Sequence, residues 1–300
     1  MSGPDWLAER FEQNRSRLLA VAYRMLGSLA EADDAVQDAW LRLGRADTSE
    51  VENLDAWLTT IIVRVCLNSL RSRGTRREEP MGAHVPDPVI SRADGASPED
   101  EALLAESVGL ALQVVLETLA PLERLAFVLH DMFDLSFEAI APMVGRSPAT
   151  TRQLASRARR RVRDADVRDP DPDIARQREV VDAFFAAAHG GDLDALVAIL
   201  DPEAVARTDG GAAYPDASGV LRGARAVAGQ TLMIAQPSLP KRPVLVNGAA
   251  GVVVTVGTHL LAVMGFTVSR GKIVEIDAII DPERLSRLHL PVLDGLTARP

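Results

Sequence analysis

DLSFEAIAPMVGRSPATTRQLASRARRRVR, residues Asp134–Arg163, decides the architecture of the first half of the chain. Phe137, Ile140 and Ala141 recur at helical spacing, and small Ala141 lets a second helix cross closely. Gly145 supplies a left-handed turn residue that a side chain would hinder. Ser147 can cap the next helix, and Pro148 is tolerated in a first turn. Leu154, Ala158 and Val162 give that second helix an inner stripe. A short helix, a turn and a longer helix make a helix-turn-helix. From Arg146 to Arg163 there are seven arginines and no acidic residue, in a chain of net charge -9. Guanidinium groups pair with guanine edges or clamp phosphates. The candidate DNA-contacting set is Ser147, Thr150, Thr151, Arg152, Gln153, Ser156, Arg157 and Arg160, with Arg159, Arg161 and Arg163 as further phosphate candidates. The bland alternative is a solvated basic face.

Outward from this motif, residues 1–75 read as helices. Leu7, Phe11, Leu18, Val21, Ala22, Met25 and Leu26 fall at three- and four-residue spacings, and Gly27-Ser28 combines a stop with a cap. Ala30–Leu43 is amphipathic: Ala32, Ala35, Val36, Ala39, Trp40 and Leu43 lie opposite Glu31, Asp33, Asp34 and Asp38. A third helix runs from about Leu54 to Arg73. Trp57, beside Leu58 and Ile61, reads as core rather than as a wedge. Residues 76–98 are rich in Pro and Gly, show no period and read as a linker. Helices resume over 99–168, and Asp169-Pro-Asp-Pro-Asp marks a boundary.

Beyond it, Ile174–Ala188, Leu193–Leu200 and Arg222–Met233 read as helices. Val205–Thr208 is a short strand before the turn Asp209-Gly210-Gly211. Arg242–Val246, Gly251–Val256, His259–Ser269 and Lys272–Ile280 are β-branched runs parted by Asn247-Gly248, Gly257 and Arg270-Gly271, the pattern of an antiparallel sheet. The expected fold class is multidomain: two all-α helical domains, 1–75 and 99–168, then an α+β domain over 174–285 and a tail over 286–300.

Composition narrows the rest. Hydrophobic residues make up 47% of the 300, enough for real cores. One cysteine, Cys66, excludes an internal disulfide and a cysteine-cluster zinc site; in its apolar run it reads as a core thiol. Only two lysines occur, Lys241 and Lys272. The N-terminus lacks a signal-peptide core, and runs such as Val252–Val256 are too short to cross a bilayer. A cytoplasmic protein with no membrane partner, no metal and no cofactor is expected.

Three segments together resemble a family. AEADDAVQDAWLRL (Ala30–Leu43), with LLAVAYRMLGS (Leu18–Ser28) before it, resembles region two of bacterial sigma factors. NLDAWLTTIIVRVCLNSLRSR (Asn53–Arg73) resembles the part that melts and reads the minus-ten element. Ala120–Val162 resembles region four, which reads the minus-thirty-five element. Order and spacing are those of the extracytoplasmic-function (ECF) group. Residues 174–285 resemble the cone-shaped SnoaL-like fold that one ECF subgroup carries after region four. Asp209-Gly210-Gly211 matches the start of a subgroup motif, with Ala212 and Ala213 replacing its end. His84-Val85-Pro86-Asp87-Pro88 partly matches a linker motif, and Asp281-Pro282-Glu283-Arg284-Leu285 matches a third. The resemblance implies core RNA polymerase and promoter DNA as partners. Asp33, Asp34, Gln37, Asp38, Trp40 and Leu41 would dock on polymerase. Asn53, Arg64, Asn68, Arg71 and Arg73 would meet the minus-ten element, and the helix-turn-helix set the minus-thirty-five element. Asp209, Gly210, Gly211, Pro86, Asp87, Pro88, Asp281 and Pro282 would make the regulatory contact, in place of an obligate separate anti-sigma factor.

Two rival functions remain at this point. A helix-turn-helix repressor with a ligand-sensing domain would not need the two helices of residues 30–73. A cone fold can also enclose an apolar pocket and abstract protons with a lone Asp, so Asp209, Asp277 and His259 are the residues to check. A small apolar ligand in that pocket, without catalysis, is the third possibility.

Overall fold

A computed structural model describes residues 4–46, 53–76, 84–92, 109–165, 168, 170–235, 238–257, 259–288 and 297–298. The chain divides into two compact units. One contains 1–78 and 115–166; the other contains 79–104, 108–114 and 167–300. The two helical stretches expected as separate domains therefore share one unit, and the linker belongs with the C-terminal one.

In the helical unit, α1 (Pro4–Leu26), α2 (Leu29–Leu43) and α3 (Leu54–Arg76) pack on each other. Phe11, Leu18, Met25, Leu58, Ile62 and Cys66 are fully buried between them. Ala32, Ala35 and Ala39 line the inner face of α2, where small side chains let α1 approach. Gly27 has φ +76°, and the Ser28 hydroxyl caps α2. Trp40 leaves the expected buried stripe: it is 39% exposed, with its ring 5.0 Å from that of Phe11. Trp57 is half-buried on α3. Arg77 and most of the Pro- and Gly-rich linker lie outside the described residues.

α4 (Leu110–Thr118) and α5 (Pro121–Phe127) precede a π-helical turn, Val128–Met132. The helix-turn-helix follows as α6 (Phe137–Val144) and α7 (Pro148–Asp164). Gly145 sits between them at φ +64°, ψ +41°. Helix α6 runs through Pro142, because the proline is exposed near the helix end and only one N–H bond is lost. The buried stripe of α7 is Thr151, Ala155 and Ala158, with Leu154 and Val162 half-buried. Thr151 fits because its hydroxyl donates to the Ser147 carbonyl at 3.0 Å.

The C-terminal unit has α8 (Ile174–Gly190), α9 (Leu193–Ile199), β2 (Leu200–Asp209), β3 (Gly219–Arg222), α10 (Ala224–Ile234), β4 (Lys241–Val246), β5 (Ala249–Val256), β6 (His259–Ser269), β7 (Lys272–Ile279) and α11 (Pro282–Arg287). The expected antiparallel meander is β4–β7, its hairpins turning at Asn247-Gly248 and Arg270-Gly271, all four residues at positive φ. β2 joins β7 in parallel, so the sheet is mixed; α10 and the meander carry the chain back between them. A further strand comes from the linker: β1 (Ile90–Arg92) pairs with β4. The tail contributes β8 (Thr297–Ala298) on β6. One sheet face packs Val252, Phe266 and Ile276 against Val181, Phe184 and Val227. The opposite face packs Val246, Val263 and Ile279 against Val85, Ile90 and Leu285.

On β2 and β7 a charged cluster is held within the sheet. Arg207 Nη1 lies 3.1 Å from Glu275 and 3.0 Å from Asp277. Burial pushes the Asp277 carboxyl up to about 6; Arg207 opposes the shift and the charge of Glu275 adds to it. A carboxyl raised in the folded state binds its proton before the unfolded chain does, so it costs stability as pH rises through that interval. Asp277→Asn should therefore flatten the decline in melting temperature between about pH 4 and pH 6, with Glu275 left to pair Arg207; an unchanged pH profile would show Asp277 stays ionised throughout. In the turn, Gly145→Ala should cost about 1 kcal/mol in urea unfolding and Gly145→Asn less, since an added Cβ meets nothing within 4 Å and only the left-handed backbone is at issue.

Candidate nucleic-acid interface and linker clasp

The cap and turn of α7 fix which side chains face outward. Ser147 Oγ accepts the Thr150 N–H at 3.2 Å and lies 2.9 Å from the Thr150 hydroxyl. Arg152, Gln153, Ser156, Arg157 and Arg160 are exposed on one continuous face, opposite the buried stripe. Arg152 lies over the Phe137 ring, 5.2 Å from its centroid, which holds the guanidinium beside α6. Thr151 is fully buried and so leaves the contact set proposed for it. Two other arginines point elsewhere. Arg159 pairs with Asp131 at 2.6 Å, and Arg161 with Glu123 at 3.4 Å. Both pairs tie α7 to the preceding helices, as a weaker pair of Arg152 with Glu138 at 4.0 Å ties it to α6. The acidic partners of Arg159 and Arg161 lie 28 and 38 positions earlier, a separation that local pattern does not reveal.

On α2, Asp34, Gln37, Trp40 and Leu41 are exposed and Asp33 and Asp38 half-buried; Asp38 pairs with Arg42 at 2.9 Å. An acidic surface with two large apolar side chains at its centre suits a protein partner. On α3, Arg64, Asn68 and Arg71 are exposed at spacings of four and three, which makes one face. Asn53 is not part of that face. Its side chain accepts the Ala56 N–H at 3.0 Å and caps α3. Arg73 lies on α3, with its side chain outside the described residues.

The linker meets the C-terminal unit through a buried carboxylate. Asp209, at the end of β2, is 5% exposed. Its Oδ2 accepts the Val85 N–H at 3.0 Å, lies 3.2 Å from His84 Nδ1 and pairs with Arg284 Nη1. Arg284 Nε also donates to Asp87 at 3.0 Å, and Nη2 to the Val85 carbonyl. One guanidinium thus ties the linker to both β2 and α11. Pro86 and Pro88 are buried beside it. Asn247 continues the clasp: its side chain accepts the Val89 N–H at 2.9 Å, and its own N–H donates to the Val89 carbonyl. β1 follows immediately.

The glycines are required sterically. A Cβ on Gly210 would stand 2.4 Å from the Tyr214 carbonyl, and one on Gly211 would stand 1.9 Å from Asp281. Asp281 in turn caps α11 through the Glu283 N–H, with Pro282 in the first turn. Sequence reasoning chose Asp209, Gly210, Gly211, Pro86, Asp87, Pro88, Asp281 and Pro282, and the structure brings them together. It missed Arg284 and Asn247 as the donors and acceptors that join them. The signal for Arg284 was a lone cation in an otherwise acidic motif; Asn247 read only as a turn residue.

Burial would raise the Asp209 carboxyl, but hydrogen bonds from His84 and Val85 and the charges of Arg284 and His84 hold it at about 2. Because this pKa is depressed, the carboxylate's contribution is present above about pH 4 and lost only as pH falls toward 2.

The sheet face lined by Phe184, Phe185, Met264 and Ile276 opens into a cavity of about 610 Å³. Asp209, Asp277 and His259 do not line it. A second void, about 80 Å³, touches Asp277 beside Gly265 and Leu110. Among the described residues no group of His, Cys, Asp and Glu could hold a metal, and no helix is long and apolar enough to cross a membrane.

Comparison with known proteins agrees with this geometry. The family model for Sigma-70 region 2 matches residues 10–76, and that for Sigma-70, region 4 matches residues 109–162. The ECF RNA polymerase sigma factor SigJ of Mycobacterium tuberculosis is 38% identical over 291 residues, 92% of each chain. A probable ECF RNA polymerase sigma factor of the same organism, SigI, is 34% identical over 307 residues, covering 98% of this chain and all of the relative. The crystal structure of the M. tuberculosis SigJ protein superimposes with a TM-score of 0.74 at 33% identity, covering 93% of this chain and 98% of that one. With both sigma regions matched in order and a full-length relative well above a third identical, this chain belongs to the extracytoplasmic-function RNA polymerase sigma factors.

Proposed function

We propose that the chain directs core RNA polymerase to promoters in the cytoplasm, with each step carried by a separate helix. Asp33, Asp34, Gln37, Asp38, Trp40 and Leu41 on α2 dock on polymerase. Arg64, Asn68 and Arg71 on α3 follow the minus-ten strand, where exposed cations and an amide suit a phosphate backbone and unpaired bases. Arg152, Gln153, Ser156, Arg157 and Arg160 on α7 enter the major groove of the minus-thirty-five element. The observation that carries this is the exposed, unbroken face of α7, from which two arginines are withdrawn by ion pairs while the others stay outward.

We further propose that the C-terminal unit regulates initiation by holding the linker, so that a separate anti-sigma partner is not obligatory. The clasp at Arg284 supports this, since it fixes the segment that connects the two promoter-reading regions. The cavity is proposed to take a small apolar ligand without catalysis. Each acid–base candidate has another occupation: Asp209 holds the linker and Asp277 the Arg207 cluster, and His259 lies off the cavity lining.

Arg152→Ala with Arg157→Ala should weaken promoter binding by about 10- to 100-fold and lower the salt slope by about 2, with polymerase binding intact. Arg159→Ala and Arg161→Ala should instead lower thermal stability and leave the slope unchanged. Equal salt slopes for both pairs would remove the assigned split of roles. Run-off transcription with purified core polymerase tests the regulation. Arg284→Ala leaves a buried carboxylate short of its main partner, at a cost of about 3 kcal/mol. It should shift initiation in the same direction as removal of residues beyond Arg168. If truncation changes initiation and Arg284→Ala does not, control runs through some other contact.

A further inference from the structure

The large cavity is asymmetric in a way that specifies its ligand. Two aromatic rings line it, Phe184 and Phe185, and Phe266, outside the lining, packs edge to face against both, with centroids 5.5–5.8 Å apart. Its rim is apolar and open, with Val220 46% and Ile234 62% exposed. Water-facing apolar side chains at the mouth of an apolar cavity mark a site that an apolar body completes. Three charged residues line it: Arg207, Asp216 and Lys241. Arg207 is neutralised by Glu275 and Asp277. Asp216 sits on an exposed turn, Pro215–Ala217. Lys241 begins β4, and its ammonium lies 5.6 Å from the Phe185 ring centroid. That ammonium makes one weak bond, 3.4 Å to the Leu239 carbonyl, and has no carboxylate within ion-pair distance among the described residues. Three donors on one nitrogen leave two for a ligand. The chain as a whole carries a net charge of -9 and repels anions, so attraction for one here is local.

We propose that the cavity binds a small amphiphile with an apolar body and a single anionic head, the body against Phe184 and Phe185 and the head at Lys241. This rests on the reading that the cavity takes an apolar ligand, and it adds the charge and the orientation. Binding grows with the apolar length that fits inside, by about fourfold per buried methylene. The head adds about fivefold, the scale of one partly exposed ion pair.

Titration calorimetry on the full chain with decanoate, octanoate, decanol and decylammonium as probes tests this. Decanoate should bind about 15-fold tighter than octanoate and about fivefold tighter than decanol. Lys241→Met should bring decanoate down to the level of decanol. Ala262→Phe, which fills the cavity from β6, should abolish binding of both while circular dichroism and melting temperature stay near wild type. Equal binding of decanol and decanoate overturns the anionic head and leaves an apolar cavity standing. Tightest binding of decylammonium overturns it too, and assigns the charge preference to Asp216. Decanoate binding that survives Ala262→Phe places it on the surface and overturns the site. Binding of none of the four probes overturns the apolar-ligand reading and this inference together.

Discussion

The Arg284 guanidinium is the constraint on which the C-terminal half depends. It reaches the Asp209 carboxylate on β2 and the Asp87 carboxylate and Val85 carbonyl on the linker, so three segments far apart in sequence, its own α11 included, meet at one group. A planar fork with five donors can do this; a lysine ammonium at the same place would satisfy fewer partners in a fixed geometry. The consequences spread outward. With Val85 fixed on Asp209, the next residues lie along β4 and become β1. With Asp281 capping α11, the helix presents Arg284 to the end of β2, and Gly211 must lack a Cβ to let Asp281 approach. A connecting segment between two sigma regions is thereby structured by a third part of the chain.

The helical half obeys a different logic, in which charges are sorted by where their partners lie. Seven arginines stand between Arg146 and Arg163, and by sequence they look equivalent. The fold separates them. Arg159 and Arg161 meet Asp131 and Glu123 and hold α7 in place; Arg152, Arg157 and Arg160 remain on the outer face. The anchoring residues and the outward arginines proposed to read DNA are thus different residues of one helix, set by its 100° rotation per residue. A rigidly docked helix is what base readout needs, because bidentate contacts depend on orientation.

This sorting also marks what the sequence made legible. Local signals survived: Gly27, Gly145, Asn247-Gly248 and Arg270-Gly271 all occupy the turns read from them. So did the caps at Ser28 and Ser147. Family resemblance located the three motifs of the clasp. What escaped were effects that need a third dimension. Thr151 stands three residues before Leu154 and seven before Ala158, on the inner stripe, and only its hydroxyl made it read as a contact residue. Asn53 reads as a polar residue before a DNA-contacting helix and proves to be that helix's cap. Ile90–Arg92 has too few residues to show a period; its strand exists because β4 offers an unpaired edge and Asn247 holds Val89 against it.

The same half-hidden chemistry separates two carboxylates near the shared β2–β7 edge. Asp209 and Asp277 are both buried, and burial alone would raise both. Asp209 receives a backbone N–H, a histidine and an arginine, and these outweigh burial and hold it ionised. Asp277 shares one guanidinium with Glu275, whose negative charge adds to the burial, so its carboxyl is pushed up instead. Depth and donors decide the outcome together: Asp277 lies deeper and shares its one cation, while Asp209 has three donors of its own. Asp209 is consequently a fixed anchor across the neutral range, able to hold the linker whatever the pH. Asp277, outside the lining of the large cavity and tied to Arg207, has its proton poised by a structural cluster. Neither carboxylate lines the large cavity, and among the described residues Lys241 is the lining cation that no carboxylate neutralises.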